Sequence, residues 1–220
     1  MRLLLTSEGG FPTQEIVDAC IELVGKPASE ISFAVINEAY SGEPGDKRWV
    51  IMQLNAIATK FGGPVELVNL RALSSDQVVD KMADCDAIYC VGGHTDFLMR
   101  TFIDTGFDTS IRDTLETKVW VGSSAGSMVL GHRTPVLVSE TELTDGNEYG
   151  IDSYLELVDF GICPHVDRIG YPSTNEELRR TFGSQPNVPI YGIADDAAVV
   201  VDGDKVSFIG TEPLMIFRNT

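Results

Sequence analysis

One stretch of the sequence restricts the fold more than any other: an apolar run, a turn of small residues and a second apolar run, within Lys118–Gly131. The turn places Ser124 between Gly122 and Gly126 in a G-x-S-x-G pattern. A nucleophile on a sharp strand-to-helix turn projects clear of the sheet, and such a turn is tolerated only where the neighbouring residues are small. The pattern therefore predicts Ser124 as a nucleophile in an α/β protein. A turn of small residues that merely packs tightly is the alternative.

Short apolar runs alternate with amphipathic helical patterns along the first half of the chain. The apolar runs predict strands at residues 3–5, 31–36, 65–70, 87–91 and 119–121. Helical spacing predicts helices after Thr13, at Trp49 and after a capping box at Ser74, and a broken helical connection over residues 97–115. Because the strands are continuously apolar rather than half polar, the pattern predicts a parallel sheet covered on both faces.

Four short apolar segments near the C-terminus are separated by Asp-Gly and Gly turns. They predict antiparallel strands that extend one edge of the sheet, at residues 191–193, 197–201, 206–209 and 214–217. The chain of 220 residues shows no repeat, low-complexity tract or linker. We therefore expect a single α/β domain over residues 1–220.

The chain is strongly acidic, with a formal net charge of −17 from 16 Lys and Arg against 33 Asp and Glu. Such a surface repels phosphate backbones and anionic membranes, so we expect neither nucleic acid nor a membrane as a partner. The four cysteines lack Cys-x-x-Cys spacing, and no secretory or membrane-spanning segment is recognisable, which predicts free thiols and a cytoplasmic location. A homo-oligomer is also expected, although no particular stretch carries that expectation.

Histidine is the usual base for a serine nucleophile, and the sequence contains three histidines. His132 follows the Ser124 turn too closely to fold back onto it. His94 belongs to the Gly92-Gly93 turn, which is considered below as a source of oxyanion donors. His165 stands where a strand-like Gly-Ile-Cys-Pro segment ends, and open α/β sheets gather their sites at the ends of strands. We therefore expect His165 to be the base. A structural histidine beside a proline turn is the alternative.

Gly92 and Gly93 follow the predicted strand 87–91, and without side chains their backbone approaches a ligand closely. A backbone N–H from this turn, with that of Ala125, would form a two-donor oxyanion hole. A phosphate-binding glycine loop is the competing interpretation, but the third glycine or the Lys-Ser/Thr that it requires is missing from the sequence.

A triad also needs a carboxylate that orients the imidazole, and this residue need not lie near either partner in sequence. Of the acids between the nucleophile and the base, three are plausible partners, and a later pair could also line the cleft: Glu140, Glu142, Asp145, Asp195 and Asp196. Most acids in such runs are merely solvated, so the residues themselves leave this choice open.

In this order the pieces resemble the dipeptidase E and cyanophycinase family of serine peptidases, which includes the α-aspartyl dipeptidases. The resemblance rests on residues 87–98, 119–127, 160–165 and 191–201. It implies a three-layer α/β sandwich with a mostly parallel sheet, like the class I glutamine amidotransferases and other flavodoxin-like folds. It also implies hydrolysis of small peptides through an acyl-enzyme, without a cofactor or a metal.

Carried over by position, the resemblance assigns the nucleophile, the base and both oxyanion donors to the residues already singled out: Ser124, His165, Gly93 and Ala125. The family places its acid shortly after the serine, in a window that holds Glu140 and Glu142. Within that window Glu142 is preferred as the third member of the triad.

Two departures from the family concern the substrate. His94 stands where the family commonly has asparagine, and Asn175 stands where aspartyl dipeptidases carry an arginine that grips the substrate's aspartate. Arg168 lies nearby without matching that position, and these three residues are the candidates for substrate binding. We predict a serine exo- or dipeptidase whose aspartyl specificity is open. The alternatives are a non-catalytic binding or regulatory protein on the same fold, and an α/β-hydrolase esterase, whose triad also runs Ser, acid, His.

Overall fold

The structure is a computed structural model that describes residues 1–134, 136–139, 142–144, 148–182 and 188–216. Strands and helices alternate along the first half of the chain, as the apolar periodicity predicts. The strands within the described ranges are β1 (Arg2–Thr6), β2 (Phe33–Ile36), β3 (Val65–Val68), β4 (Ala87–Cys90), β5 (Val119–Ser123), β6 (Val136–Ser139), β7 (Glu142–Thr144), β8 (Gly161–Pro164), β9 (Ile190–Ile193), β10 (Ala198–Asp202), β11 (Lys205–Ile209) and β12 (Leu214–Ile216).

The α-helices within the same ranges are α1 (Gln14–Val24), α2 (Arg48–Lys60), α3 (Ser75–Ala83), α4 (Thr95–Thr105), α5 (Phe107–Thr117), α6 (Ala125–Met128) and α7 (Asn175–Phe182). Local sequence explains where several of them begin and end. The Thr13 hydroxyl caps the start of α1, and Gly25 ends it with a φ of +77°. The capping box predicted at Ser74 opens α3. The predicted broken connection is the pair α4 and α5, which meet at Gly106 with a φ of +74°.

The main sheet has the strand order β11-β10-β1-β5-β4-β2-β3. Its five strands from β1 to β3 run parallel, whereas β10 and β11 are antiparallel and lie beyond β1 at one edge. Successive β1 side chains enter opposite cores. Leu4 packs with α1 and α2 on one face, and Leu3 and Leu5 pack with α3, α4 and α5 on the other. The predicted three-layer α/β class is therefore confirmed, including its antiparallel C-terminal strands.

A second, smaller sheet has the order β12-β9-β8, with β8 and β9 parallel and β12 antiparallel to β9. The expectation that all four C-terminal segments extend one edge of the main sheet is thus right for β10 and β11 and wrong for β9 and β12. The physical reason is that β9 pairs along the whole of β8, which is buried throughout. The periodicity of a short apolar run indicates a strand but not its partner.

All four cysteines are buried and unbridged: Cys20, Cys85, Cys90 and Cys163. Burial raises the pKa of the Cys20 and Cys163 thiols to about 12, so neither is a thiolate near neutral pH. Among the helices that the structure describes, none has both the length and the apolar character needed to cross a membrane.

Candidate active site

The turn after β5 adopts the strained elbow that the G-x-S-x-G pattern predicts. Ser124 has a φ of +47° and a ψ of −110°, a conformation that residues other than glycine rarely adopt. The end of β1 holds the elbow in place. The carbonyl oxygen of Thr6 accepts hydrogen bonds from the Ser124 N–H at 3.0 Å and from the Ser127 hydroxyl at 2.8 Å. The strain is therefore maintained by a neighbouring strand of the sheet.

The two glycines of the pattern are required because the elbow is tightly packed. A methyl group on Gly122 would collide with the carbonyl oxygen of Gly126, and one on Gly126 would collide with the carbonyl oxygen of Cys90. The predicted helix after the turn is the single turn α6, which begins at Ala125 immediately after the nucleophile.

His165 meets Ser124 as the sequence predicts. It follows the last residue of β8, and its Nε2 lies 3.1 Å from the Ser124 hydroxyl oxygen. The side chain is largely buried, and the residue has a φ of +62°, a second strained backbone at the same site. This distance allows the imidazole to take the hydroxyl proton directly.

The carboxylate of Asp195 occupies the other side of the imidazole. Its Oδ1 lies 2.5 Å from Nδ1 of His165. Ser7 ties the two together, because its hydroxyl donates to the same carboxylate oxygen at 3.0 Å and accepts from the His165 backbone N–H at 2.8 Å. A carboxylate at Nδ1 holds the proton there, which leaves Nε2 as the acceptor that faces Ser124.

Arg168 forms the outer part of the same network. Its Nε donates to Oδ2 of Asp195 at 2.5 Å, and its guanidinium also forms an ion pair with Glu8. Burial would raise the pKa of Asp195, but the hydrogen bonds and charges of His165 and Arg168 outweigh this effect and lower it to about 2. The carboxylate beside the imidazole is therefore ionised throughout the neutral range.

The choice of Glu142 as the carboxylate partner of His165 needs correction, because Asp195 occupies that position. Glu142 lies in the hairpin of β6 and β7, and its side chain is outside what the structure describes, as are Glu140 and Asp145. The physical reason for the correction is the parallel pairing of β8 and β9. This pairing brings the ends of the two strands together, so that the residues following Pro164 and Ile193 are neighbours.

The predicted oxyanion donors lie on either side of the nucleophile. Gly93 lines a cavity beside Ser124 and has a φ of +136°, and a side chain there would collide with the Ala39 backbone. Ala125 is fully buried and directly follows the nucleophile. Within the described ranges, neither backbone N–H donates a hydrogen bond to another protein group. Both N–H groups are therefore available as donors.

The nucleophile opens into a cavity of about 410 Å³. The residues that line it are Ser7, Glu8, Glu43, Trp49, Gln53, Gly92, Gly93, Thr95, Ser123, Ser124, Met128, Cys163, Pro164, His165, Arg168 and Tyr171. Of the three predicted substrate-binding residues, only Arg168 is among them. Cavities of this size hold small ligands.

His94 and Asn175 have other tasks in the structure. The His94 ring accepts a hydrogen bond from the Phe97 N–H at the start of α4 and packs edge-on against Tyr149. The Asn175 side-chain oxygen accepts from the Met215 N–H at 2.8 Å, which ties α7 to β12. Neither residue lines the cavity beside Ser124. The third histidine, His132, lies outside the cavity near two acidic side chains.

Three ligand-type side chains of this network lie close enough to suggest a metal. Atoms of Glu8, His165 and Asp195 lie within 4.8 Å of one another. Both carboxylates are already bonded to Arg168, and both ring nitrogens of His165 are engaged, one with Asp195 and one with Ser124. A cation would have to displace the guanidinium, so the donors fit an ion-pair network better than a metal site.

Several residues of the site escaped the sequence-based analysis. Ser7 and Glu8 directly follow β1, which pairs in parallel with β5 next to the nucleophile. Their position at the end of a predicted strand could have identified them, because residues at the carboxyl ends of adjacent parallel strands converge. Glu43 and Trp49 lie in or near the loop between β2 and α2, and no local pattern marks them as part of the site.

Comparisons with known proteins identify the family. The family model described as Peptidase family S51 matches residues 3–209. An uncharacterized peptidase of Pasteurella multocida is 24% identical over 144 residues, which cover 65% of this chain and 69% of that protein. A Peptidase E of Shewanella baltica is 29% identical over 140 residues, covering 61% of this chain and 57% of the relative.

The fold also has solved counterparts. A candidate Peptidase E from Listeria monocytogenes shares the fold with a TM-score of 0.74 at 22% identity, covering 96% of this chain and 98% of that one. A peptidase from an acI-B1 Actinobacterium gives a TM-score of 0.68 at 16% identity, covering 100% and 95%. Because the family model matches nearly the full sequence, the chain belongs to peptidase family S51 and is a hydrolase of peptide bonds.

Proposed function

We propose that the protein is a serine exo- or dipeptidase that cleaves small peptides with Ser124, His165 and Asp195 as its catalytic triad. One observation carries the proposal: a strained serine lies 3.1 Å from an imidazole nitrogen whose partner nitrogen lies 2.5 Å from a carboxylate. This is the arrangement by which a weak hydroxyl nucleophile is activated. Asp195 takes the role for which the sequence alone favours Glu142.

The first half of the reaction forms an acyl-enzyme. The Ser124 oxygen attacks the carbonyl carbon of the scissile bond while its proton moves to Nε2 of His165, and Asp195 stabilises the imidazolium that results. The carbonyl oxygen becomes an oxyanion, which accepts hydrogen bonds from the backbone N–H groups of Gly93 and Ala125. The carbon–nitrogen bond then breaks, and His165 returns its proton to the leaving amine.

The second half regenerates the enzyme. Water attacks the acyl carbon and gives one proton to Nε2 of His165, which forms a second tetrahedral oxyanion in the same hole. This intermediate expels the Ser124 oxygen, which recovers its proton from His165, and the substrate's new carboxylate leaves.

The cavity favours small substrates but gives no support for aspartyl specificity. Its volume of about 410 Å³ suits a short peptide rather than an extended chain. A substrate aspartate would require a compensating cation. Arg168 is the one lining cation among the described residues, and it is already bonded to Glu8 and Asp195. We therefore leave the aspartyl preference out of the proposal.

The cytoplasmic location and the self-association predicted from the sequence stay predictions. A cytoplasmic location is supported by four cysteines that are buried without disulfides, as expected in a reducing compartment. Self-association has no observation behind it beyond the general expectation.

The proposal is tested by hydrolysis of a panel of dipeptides, with acidic, neutral and basic first residues, by the wild type and by Ser124→Ala. We expect the variant to lose at least about 10³-fold in kcat/KM on every peptide that the wild type cleaves. Circular dichroism and the thermal midpoint would establish that the variant is folded. Undiminished turnover by a folded Ser124→Ala protein would exclude the proposed mechanism.

A further inference from the structure

The charge of the cavity points to a class of substrate. Glu8 and Glu43 line it, Asp195 lies behind His165, and Arg168 is the single lining cation within the described ranges. The guanidinium of Arg168 is bonded to two of these carboxylates, Glu8 and Asp195. Three carboxylates therefore face one guanidinium, and Glu43 is the carboxylate of the three that is not bonded to Arg168.

Glu43 has no cation assigned to it by the rest of the protein. It follows a short 3₁₀ turn over Glu38–Gly42, is half-buried, and forms no hydrogen bond or ion pair through its carboxylate with any described residue. Lys47 is the nearest basic residue in sequence, but its ammonium donates to the Pro44 carbonyl at 3.1 Å and does not line the cavity. A half-buried carboxylate that faces a cavity attracts a cationic ligand.

Two aromatic residues line the same cavity. Trp49 and Tyr171 are both partly exposed in it, and the Lys47 ammonium already lies 5.9 Å from the centre of the Trp49 ring. Tyr171 packs edge-on against His165, with ring centres 5.4 Å apart, so this part of the cavity lies next to the catalytic imidazole. The charge of Glu43 reaches Tyr171: burial is the main cause that raises the pKa of this phenol to about 12, and Glu43 adds to the effect. Aromatic faces combined with a carboxylate favour the binding of ammonium groups.

The floor of the cavity supplies a second, independent sign of a polar ligand. Ser123 is 1% exposed, and its hydroxyl acts on the pKa of the neighbouring Tyr89 phenol but forms no hydrogen bond of normal geometry with a described residue. Beside it in the lining, Gln53 uses its side-chain oxygen to accept from the Tyr89 hydroxyl at 3.1 Å, while its amide nitrogen is bonded to no described residue. Buried polar groups without partners are unfavourable unless a ligand completes them, so this part of the cavity suits a polar group of the substrate.

We propose that Glu43 binds an ammonium group on the substrate residue that acylates Ser124, so that ligands with an ammonium on that residue bind more tightly than ligands without one. The proposal rests on the proposed function, since it assumes that the cavity beside Ser124 holds the acyl part of a peptide. The ammonium belongs either to a free peptide N-terminus or to a basic side chain, and both sources share the same recognition chemistry.

The test is a binding experiment in the Ser124→Ala protein, where no turnover interferes. Four small amides separate the two sources of positive charge: N-acetyl-leucinamide has no ammonium, leucinamide has the α-ammonium, N-acetyl-lysinamide has the ε-ammonium, and lysinamide has both. We expect at least one of the three cationic ligands to bind on the order of 10-fold more tightly than N-acetyl-leucinamide in titration calorimetry. Tight binding of leucinamide assigns the site to the N-terminus, and tight binding of N-acetyl-lysinamide assigns it to a side chain.

Replacement of Glu43 by glutamine then identifies the residue responsible. Glu43→Gln, in the same Ser124→Ala background, is expected to abolish the 10-fold preference for ammonium. Glu116→Gln removes the same charge from an exposed position on α5 that does not line the cavity, and it should leave the preference intact. Equal binding of all four amides, no binding of any of them, or an unchanged preference in Glu43→Gln would each overturn the inference.

Failure of the proposed function would be visible separately. If the wild type cleaved no dipeptide while ammonium ligands still bound in a Glu43-dependent manner, the peptidase mechanism would fail and the cation site would stand. If the wild type cleaved dipeptides in a Ser124-dependent manner while all four amides bound equally, the mechanism would stand and the cation site would fail.

Discussion

Nδ1 of His165 lies 2.5 Å from Oδ1 of Asp195, although the two residues are 30 positions apart in the sequence. The parallel pairing of β8 with β9 explains the contact. Pro164, the last residue of β8, pairs with Ile193, the last residue of β9, and the imidazole follows one residue and the carboxylate two residues after these ends. The relationship depends on which strands are neighbours and not on local sequence.

The first prediction concerns this carboxylate. Asp195→Asn should lower kcat by about 10⁴-fold, because an amide at Nδ1 no longer favours the tautomer in which Nε2 accepts the Ser124 proton. Glu142→Gln is the matched control, since it makes the same change at the residue that the sequence alone favoured. Its kcat should stay close to that of the wild type. A large loss in Glu142→Gln with little change in Asp195→Asn would reverse the assignment.

The second prediction concerns acid stability. The pKa of Asp195 is about 2 in the folded protein, below its ordinary value near 3.8. A lowered carboxyl pKa stabilises the folded state at pH values above the ordinary pKa, and this contribution is lost as the pH falls from about 4 to about 2. The free energy of unfolding, measured with urea across that window, should therefore fall more steeply for the wild type than for Asp195→Asn. Parallel curves for the two proteins would show that the carboxylate is not held ionised by its neighbours.

The third prediction separates two roles of Arg168. If the guanidinium positions Asp195, Arg168→Gln should lower kcat on the order of 10-fold, the effect of losing one charge-assisted hydrogen bond. The pH at which the protein loses stability in acid should also be higher in Arg168→Gln than in the wild type, because the pKa of Asp195 rises without the cation. Arg168→Lys should restore only part of the activity, since an ammonium lacks the planar fork. A rise in KM confined to acidic peptides, with kcat unchanged, would instead make Arg168 a substrate ligand.

The fourth prediction concerns the strained elbow. Because Ser124 has a φ of +47°, Ser124→Gly should be more stable to urea than Ser124→Ala by about 1 kcal/mol, although both variants are inactive. Ser110, in the interior of α5, is the control, and there the order should reverse, with alanine more stable than glycine by about 1 kcal/mol. The same order at both positions would show that the elbow stores no strain.

The sequence predicts those features of the site that depend on local pattern. The nucleophile is recognisable because G-x-S-x-G after an apolar strand leaves few alternatives, and His165 because few histidines lie at the end of a strand. The five parallel strands follow from continuous apolar runs separated by helical spacing. Each of these inferences uses residues that are close together in the chain.

The remaining features depend on pairing between distant strands. With β9 assigned to the edge of the main sheet, nothing in the sequence singles out Asp195 among the candidate acids, and the preference for Glu142 comes from the family resemblance. The structural roles of His94, which caps α4, and of Asn175, which ties α7 to β12, also escape prediction, since the same polar atoms could serve the fold or a substrate equally well. Periodicity reports burial, but the partner of a short strand is set by tertiary contacts.

The central claim is that Ser124 is the nucleophile of a serine peptidase. Its most direct test is treatment of the folded protein with a fluorophosphonate, followed by intact-mass measurement and peptide mapping. The account predicts one phosphonyl adduct, on Ser124, and a much slower reaction in His165→Gln, because the hydroxyl then has no base within 3.1 Å. An unmodified Ser124 in folded wild-type protein, or an adduct on another residue, would contradict it.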